Sequence, residues 1–194
     1  MSEASSDLYN FVMRGTLTEE ALDRAGRKNL STLGMDEAEV GTILSIDLLD
    51  ATLVEDARKM ATVYTAVAAF ENAVRELMRG VLLEGKGEGW WSTCVSEKIR
   101  QRAEKRKEDE EKTRWHAQRG TDPIYYTTMA DLVNIMRNNF DLFEPYVRSI
   151  DWVASVFDAI ERSRNVIMHS GSLDRGDIER VGIHIRDWIK QVGS

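Results

Sequence analysis

Two prolines, Pro123 and Pro145, are the only ones in a chain of 194 residues, and neither interrupts a long run of periodic apolar residues. A proline inside a helix removes a hydrogen bond and clashes with the preceding turn, so their scarcity permits long helices. Hydrophobic residues make up 42% of the chain, which is enough for a sizeable core. The sequence therefore predicts a mostly helical protein with one main domain.

Apolar residues recur at helical spacing in four long segments. The predicted main helices cover about residues 52–83, 129–140, 151–169 and 174–191. The last of them carries an apolar stripe formed by Ile178, Val181, Ile185, Trp188 and Ile189. Four such helices with mostly short connections suit an antiparallel helical bundle, which is the all-α fold that we expect.

Two further helical segments accompany the predicted bundle, which covers residues 48–194. Residues 1–47 form a predicted acidic N-terminal extension, with helix starts of the capping-box type at Thr16 and of the acidic type at Asp36. An insertion at 84–128 carries a charged helix, predicted over 97–116. Trp90 and Trp91, within this insertion, are expected to fill the core rather than to stack on nucleobases.

Charge is distributed unevenly along the chain. The net charge is −7, which is the wrong sign for a simple nucleic-acid coat. Residues 1–60 hold 6 basic and 12 acidic side chains, so the remaining residues carry a net charge of only −1. Residues 97–119 hold 9 Lys or Arg against 6 Asp or Glu. This segment either steers RNA by charge attraction or forms an exposed face laced with salt bridges.

The sequence contains no pattern typical of a metal site, a cofactor site or a membrane span. Cys94 is the only cysteine, so no intrachain disulfide can form, and we expect a cytoplasmic protein. The three histidines form no recognised metal-binding pattern, so neither a metal nor another cofactor is expected. No apolar run reaches the length of a membrane span, and the N-terminus lacks the profile of a signal peptide.

The end of the helix predicted over 151–169 concentrates chemically capable residues. Asn165 and His169 are four residues apart and share one helix face. Arg164 stands where the apolar stripe predicts another hydrophobic residue, and a buried arginine must be paired, at an interface or functional. Gly171 is predicted to supply the left-handed residue that ends the helix. In the alternative interpretation Arg164 pairs with a carboxylate and His169 merely ends the helix.

Five short blocks of sequence follow one another in an order typical of one family. In this order they resemble the HEPN superfamily, named for nucleotide binding in higher eukaryotes and prokaryotes, and most closely its Swt-type domains. The resemblance spans about residues 60–189, and the last block carries its most specific element, R-N-x-x-x-H. The blocks are FENAVRELM at 70–78, DPIYY at 122–126, DL at 131–132, NFDLF at 139–143 and RNVIMH at 164–169.

The resemblance implies a metal-independent endoribonuclease, either a toxin or a phage-defence effector. It implies catalytic roles for Arg164, Asn165 and His169, with Glu71 orienting Arg164. The expected products are a 2′,3′-cyclic phosphate and a 5′-OH, formed by attack of the RNA's own 2′-OH. The motif is expected to complete its site at the two-fold axis of a homodimer, and an antitoxin or another regulatory protein is a further expected partner.

Two alternatives stay open at this point. In one, the chain is a HEPN module that binds RNA, a nucleotide or a protein partner without cleaving it. In the other, the chain is a structural dimerisation bundle in which the motif arginine forms a salt bridge. Within the first long helix, Glu71 and Arg75 are also four residues apart, so they can pair with each other instead of serving the motif.

Overall fold

The computed structural model describes residues 35–193, and within this range it contains helices and their connections but no β-strand. The all-helical prediction is confirmed for these residues. None of the helices found there is long and apolar enough to cross a membrane. Short 3₁₀ turns lie at Ile46–Leu48 and Pro123–Tyr126. The α-helices are α1 (Glu37–Ile43), α2 (Ala51–Lys86), α3 (Trp90–Cys94), α4 (Glu97–Glu111), α5 (Met129–Asn138), α6 (Phe140–Phe143), α7 (Ile150–Met168) and α8 (Arg175–Val192).

The chain divides into two compact units between Val54 and Glu55. In the first unit, α1 begins where the acidic start was predicted, because the Asp36 side chain accepts a hydrogen bond from the Glu39 amide at 2.8 Å. Such an N-cap satisfies one of the free amides at the helix start. The helix predicted from Thr16 lies outside the described residues.

An aromatic cluster ties three helices of the second unit together. Phe70 of α2 meets Phe157 of α7 edge-on, with ring centroids 6.0 Å apart. Trp188 of α8 contacts both rings, at 5.8 Å and 5.2 Å. Edge-to-face pairs of this kind add stability beyond the area that they bury. The cluster therefore fixes α7, the helix that carries the R-N-x-x-x-H motif, against α2.

The charged helix α4 buries Ile99 and Ala103, and a buried carboxylate also binds it to α5. Asp131 of α5 is buried and accepts from Arg102 at 2.7 Å and from Arg106 at 3.3 Å. Two of the basic residues predicted for the charged face therefore serve packing. Trp90 is buried, as predicted, and Trp91 is half-buried.

The charged helix was predicted to reach residue 116, and this prediction is wrong, because α4 ends at Glu111. The reason is local. Just before this end, Glu110 uses its carboxylate to hold Arg119 at 2.6 Å, which requires the chain to turn back.

The apolar stripe predicted for α8 is only partly buried. Val181 and Trp188 lie in the core, whereas Ile178 and Ile189 are 38% and 60% exposed. The stripe therefore extends beyond the part of α8 that the described fold covers. Periodicity marks the apolar face of a helix, but the width of the covered strip depends on the helices packed against it, which the pattern does not show.

The end of α7 is closed by backbone hydrogen bonds in a Schellman motif. Gly171 N donates to Val166 O at 2.8 Å, and Ser170 N donates to Ile167 O at 3.0 Å. The left-handed residue is Ser170, with φ 60°, so the assignment of that conformation to Gly171 was wrong. Gly171 is required for another reason, because a Cβ there would lie 2.9 Å from Val166 O.

Ser170→Gly is expected to stabilise the protein by about 1 kcal/mol, because glycine adopts a left-handed conformation without the steric cost that serine pays. The measurement is the free energy of unfolding in urea. Ser172→Gly is the matched control; Ser172 lies two residues on and is not among the described residues with positive φ, so glycine there should not stabilise. A Ser170→Gly variant that is less stable than the unaltered protein would contradict this account of the helix end.

Candidate functional site

A buried carboxylate joins two arginines from different helices. Glu71 of α2 is 7% exposed and lies 3.2 Å from Arg75, one turn further along the same helix. Its other oxygen lies 3.3 Å from Nε of Arg164 on α7. The Glu71–Arg75 pair and the Glu71–Arg164 pair were alternatives at the sequence level, and both are present. The carboxylate therefore holds Arg164 in place, and its role in orienting that arginine for chemistry stays a prediction.

Arg164 is paired but not sealed from solvent. Its side chain is 37% exposed, whereas those of Glu71 and Arg75 are each 10% exposed. The carboxylate of Glu71 fixes the guanidinium of Arg164, while part of the guanidinium stays accessible to solvent. Such a group can bind a phosphate with its remaining N–H donors.

Arg164 opens onto a cavity of about 480 Å³. Three arginines and two glutamates line it, which leaves a net positive charge on its wall. The lining residues come from α2, α7, the loop after α4 and the segment from the Pro123–Tyr126 turn into α5; they are Tyr64, Glu71, Asn72, Arg75, Arg119, Tyr125, Thr127, Thr128, Met129, Glu161, Arg164 and Met168. A smaller cavity of about 140 Å³ adjoins Glu71 and Arg164.

Two buried polar atoms in this wall lack a hydrogen-bond partner. They are Oε1 of Glu71, whose ion pair with Arg164 lacks hydrogen-bond alignment, and Nε of Arg75. A buried donor without a partner is costly, and such atoms in a protein are commonly satisfied by water or a ligand. The site therefore has donor capacity in Arg75 that the described part of the fold does not use.

Three neutral residues with hydroxyl groups, Tyr125, Thr127 and Thr128, also line this cavity. Tyr125 donates from its hydroxyl to Glu76 at 2.6 Å, and this hydrogen bond raises the pKa of the tyrosine above its ordinary value. Thr128 caps α5, accepting from the Asp131 amide at 3.2 Å. Thr127 donates to the Ile124 carbonyl at 2.6 Å. The two threonine hydrogen bonds are local, whereas the Tyr125 hydrogen bond reaches back to α2, and together they hold these neutral groups in the cavity wall.

The other two predicted catalytic residues lie elsewhere on α7. Asn165 and His169 are exposed, and neither lines the cavity of Arg164. The His169 amide donates to the Asn165 carbonyl at 3.2 Å, so the two stand one turn apart as predicted. Within one chain the structure thus brings Arg164 to Glu71 and leaves His169 on the outer surface of the same helix end.

Three cavity residues were missed or undervalued at the sequence level. Arg75 was considered only as a possible partner of Glu71, yet it is buried and also lines the cavity. Arg119 was counted in the charged segment 97–119 and Tyr125 belonged to the DPIYY block, and neither was predicted to lie beside Arg164. Gly120, at φ 149°, was the available signal for a chain reversal there. A reversal alone does not say which side chain it turns inwards.

Between residues 35 and 193, no three His, Cys, Asp or Glu side chains gather in a way that could hold a metal ion.

Comparison of the chain with models of protein families, with curated proteins and with solved structures finds no match. The resemblance to HEPN domains therefore rests on the blocks of the sequence, and on these alone.

Proposed function

We propose that the protein is an endoribonuclease of the HEPN type, built as an antiparallel bundle, which cleaves RNA without a metal ion. The observation that carries the proposal is the placement of Arg164, which a buried carboxylate fixes at the wall of a positively charged cavity. A preorganised cation of this kind stabilises charge that develops on a phosphate in the transition state.

RNA supplies the nucleophile for this reaction. The 2′-oxygen attacks the adjacent phosphorus, the bond to the 5′-oxygen breaks, and the products are a 2′,3′-cyclic phosphate and a 5′-OH. A base removes the proton of the 2′-OH, and an acid returns a proton to the 5′-oxygen. His169 supplies proton transfer, Arg164 binds the phosphate oxygens, and Asn165 orients the imidazole or the phosphate. Glu71 orients Arg164.

The exposed end of α7 supports a two-fold homodimer in this proposal. Val166 and Met168 are 40% and 54% exposed, beside the polar side chains of Asn165 and His169. An isologous contact through this end would bring two copies of the motif together automatically. Each copy then contributes one Arg164 and one His169, so that one imidazole serves as base and the other as acid.

The protein is expected to be a homodimer at micromolar concentration, and Met168→Glu is expected to make it monomeric. A residue near a two-fold axis faces its own copy, so the substitution places like charges in contact. Light scattering measures the molar mass. Ile189→Glu is the matched control, because Ile189 is equally apolar and 60% exposed on another helix. A monomeric unaltered protein would count strongly against the two-fold site.

RNA cleavage is expected to proceed in EDTA at an undiminished rate, because the proposed chemistry uses an arginine and an imidazole. The experiment incubates the purified protein with total cellular RNA in EDTA and analyses the ends of the products. The expected ends are 2′,3′-cyclic phosphate and 5′-OH. Activity that EDTA abolishes and magnesium or manganese restores would overturn this mechanism.

One observation favours a second candidate, a HEPN module that binds RNA, a nucleotide or a protein partner without cleaving it. In a single chain, His169 does not line the cavity that Arg164 opens onto. Binding of RNA without any product ends would favour this candidate. In either case we propose a cytoplasmic protein, with an antitoxin or another regulatory protein as a further partner and toxin–antitoxin or phage-defence activity as its setting.

A further inference from the structure

One tryptophan lies outside the core. Trp115 is 85% exposed, in the loop between α4 and the Pro123–Tyr126 turn. Its only ring neighbour among the described residues is His116, with centroids 5.6 Å apart and planes at 76°. The remaining tryptophans, Trp90, Trp91, Trp152 and Trp188, are buried or half-buried. Exposing a large aromatic face to water is unfavourable, so this ring calls for an explanation.

The loop that carries Trp115 is tied down at its base. Arg119 binds Glu110 twice, through Nε at 2.6 Å and through its backbone amide at 3.2 Å. The next residue, Gly120, accepts a hydrogen bond from the Tyr126 hydroxyl at 3.1 Å. These contacts bring the two ends of residues 111–118 together, and Trp115 lies exposed in the middle of this loop.

The loop is basic and leads to the cavity. Residues 112–119 contain Lys112, Arg114 and Arg119 and no acidic residue, in a chain of net charge −7. Arg114 is exposed and makes no ion pair among the described residues. Arg119 lines the cavity shared with Arg164. Arg119 is four positions after Trp115, which limits the distance between their Cα atoms to about 14 Å.

We propose that this loop is a stacking arm for single-stranded nucleic acid. An unpaired base stacks on the Trp115 ring, Arg114 binds the backbone phosphate beside it, and the strand continues past Arg119 into the cavity. The inference rests on the proposed function, because it takes RNA as the ligand. It specifies further that the RNA is single-stranded. A single strand fits, since a base within a duplex has no free face to offer an aromatic ring.

The test uses oligodeoxynucleotides, which stack as RNA does but lack the 2′-OH and so cannot be cleaved by this chemistry. Fluorescence anisotropy gives the affinity of the whole protein for a single strand and for the duplex of the same sequence. Trp115→Ala is expected to weaken single-strand binding on the order of 10-fold, and Trp115→Phe to restore most of it. Duplex binding should not change. Gln118→Ala, an exposed neutral residue of the same loop, is the control.

Arg114→Ala tests the phosphate contact separately. The variant should lower the slope of log affinity against log salt concentration by about 0.7, the value for one phosphate contact on a single strand. Trp115→Ala should leave this slope unchanged.

Three results would overturn the stacking arm. The first is that Trp115→Ala binds the single strand as tightly as Gln118→Ala does. The second is that the unaltered protein binds neither the single strand nor the duplex. The third is a change of molar mass in Trp115→Ala, which would make the loop a contact between copies of the chain. The oligonucleotide result and RNA cleavage can fail independently. Cleavage with no effect of Trp115→Ala on binding refutes the arm alone, whereas Trp115-dependent binding without cleavage refutes the nuclease alone.

Discussion

Replacing His169 with alanine is expected to abolish RNA cleavage while the protein stays folded and dimeric. His169 caps α7 through its backbone, and its exposed side chain makes no hydrogen bond among the described residues, so the fold does not depend on the imidazole. General acid–base catalysis contributes about 10²–10⁴-fold, so the loss should be in the rate at saturating RNA rather than in binding. The measurement is the cleavage rate, with circular dichroism and sizing on each variant.

His184→Ala is the matched control for this experiment and should remain active, because His184 lies on α8, outside the proposed site. Arg164→Ala should lower both the rate and the affinity for RNA, since it removes positive charge from the ground state and the transition state alike. Undiminished cleavage by His169→Ala would refute catalysis at this site and would favour the HEPN module that binds without cleaving.

Glu71→Ala is expected to lower the free energy of unfolding by about 3 kcal/mol, which is large for one substitution. The variant leaves the buried guanidinium of Arg75 unpaired and removes the carboxylate that separates it from Arg164. The partial exposure of Arg164 reduces its own share of this cost through solvent screening. Urea unfolding, followed by circular dichroism, measures the change.

Glu179→Ala is the matched control, because Glu179 forms the same type of pair one helical turn from an arginine, Arg175, but in solvent. Exposed pairs contribute about 0–1 kcal/mol, so this variant should be nearly as stable as the unaltered protein. Glu71→Gln keeps the shape of the side chain and should fall between the two. If Glu71→Ala and Glu179→Ala cost the same, the buried carboxylate does not hold the two arginines as described.

The sequence predicted the helices well, because apolar periodicity records which face of a segment is buried. The helix predicted over 151–169 is α7, Ile150–Met168, and the first predicted helix, 52–83, is α2, Ala51–Lys86. The ends were less predictable. Glycine is the usual left-handed residue after a helix, yet here Ser170 takes that conformation and Gly171 makes the close backbone contact.

The site was predictable only where its residues lie on a periodic helix. Arg164 could be identified as a candidate because it interrupts an apolar stripe. Its pairing with a carboxylate could be expected because burying an unpaired charge is costly. The neighbours that reach the cavity from the loop after α4, above all Arg119, depend on how that loop folds back. Apolar periodicity does not indicate how a loop folds back. The shape of the cavity and its positive charge could therefore be seen only in the structure.

The way in which α7 ends has a consequence for how position 169 can evolve. Three successive backbone amides, from His169 to Gly171, take up carbonyls of the last turn, so no side chain is recruited for that task. The imidazole of His169 is consequently not needed to end the helix, and its side chain makes no hydrogen bond among the described residues. Selection can therefore adjust position 169 for reactivity at little risk to the fold. Gly171 has no such freedom, because any other side chain there would collide with the Val166 carbonyl.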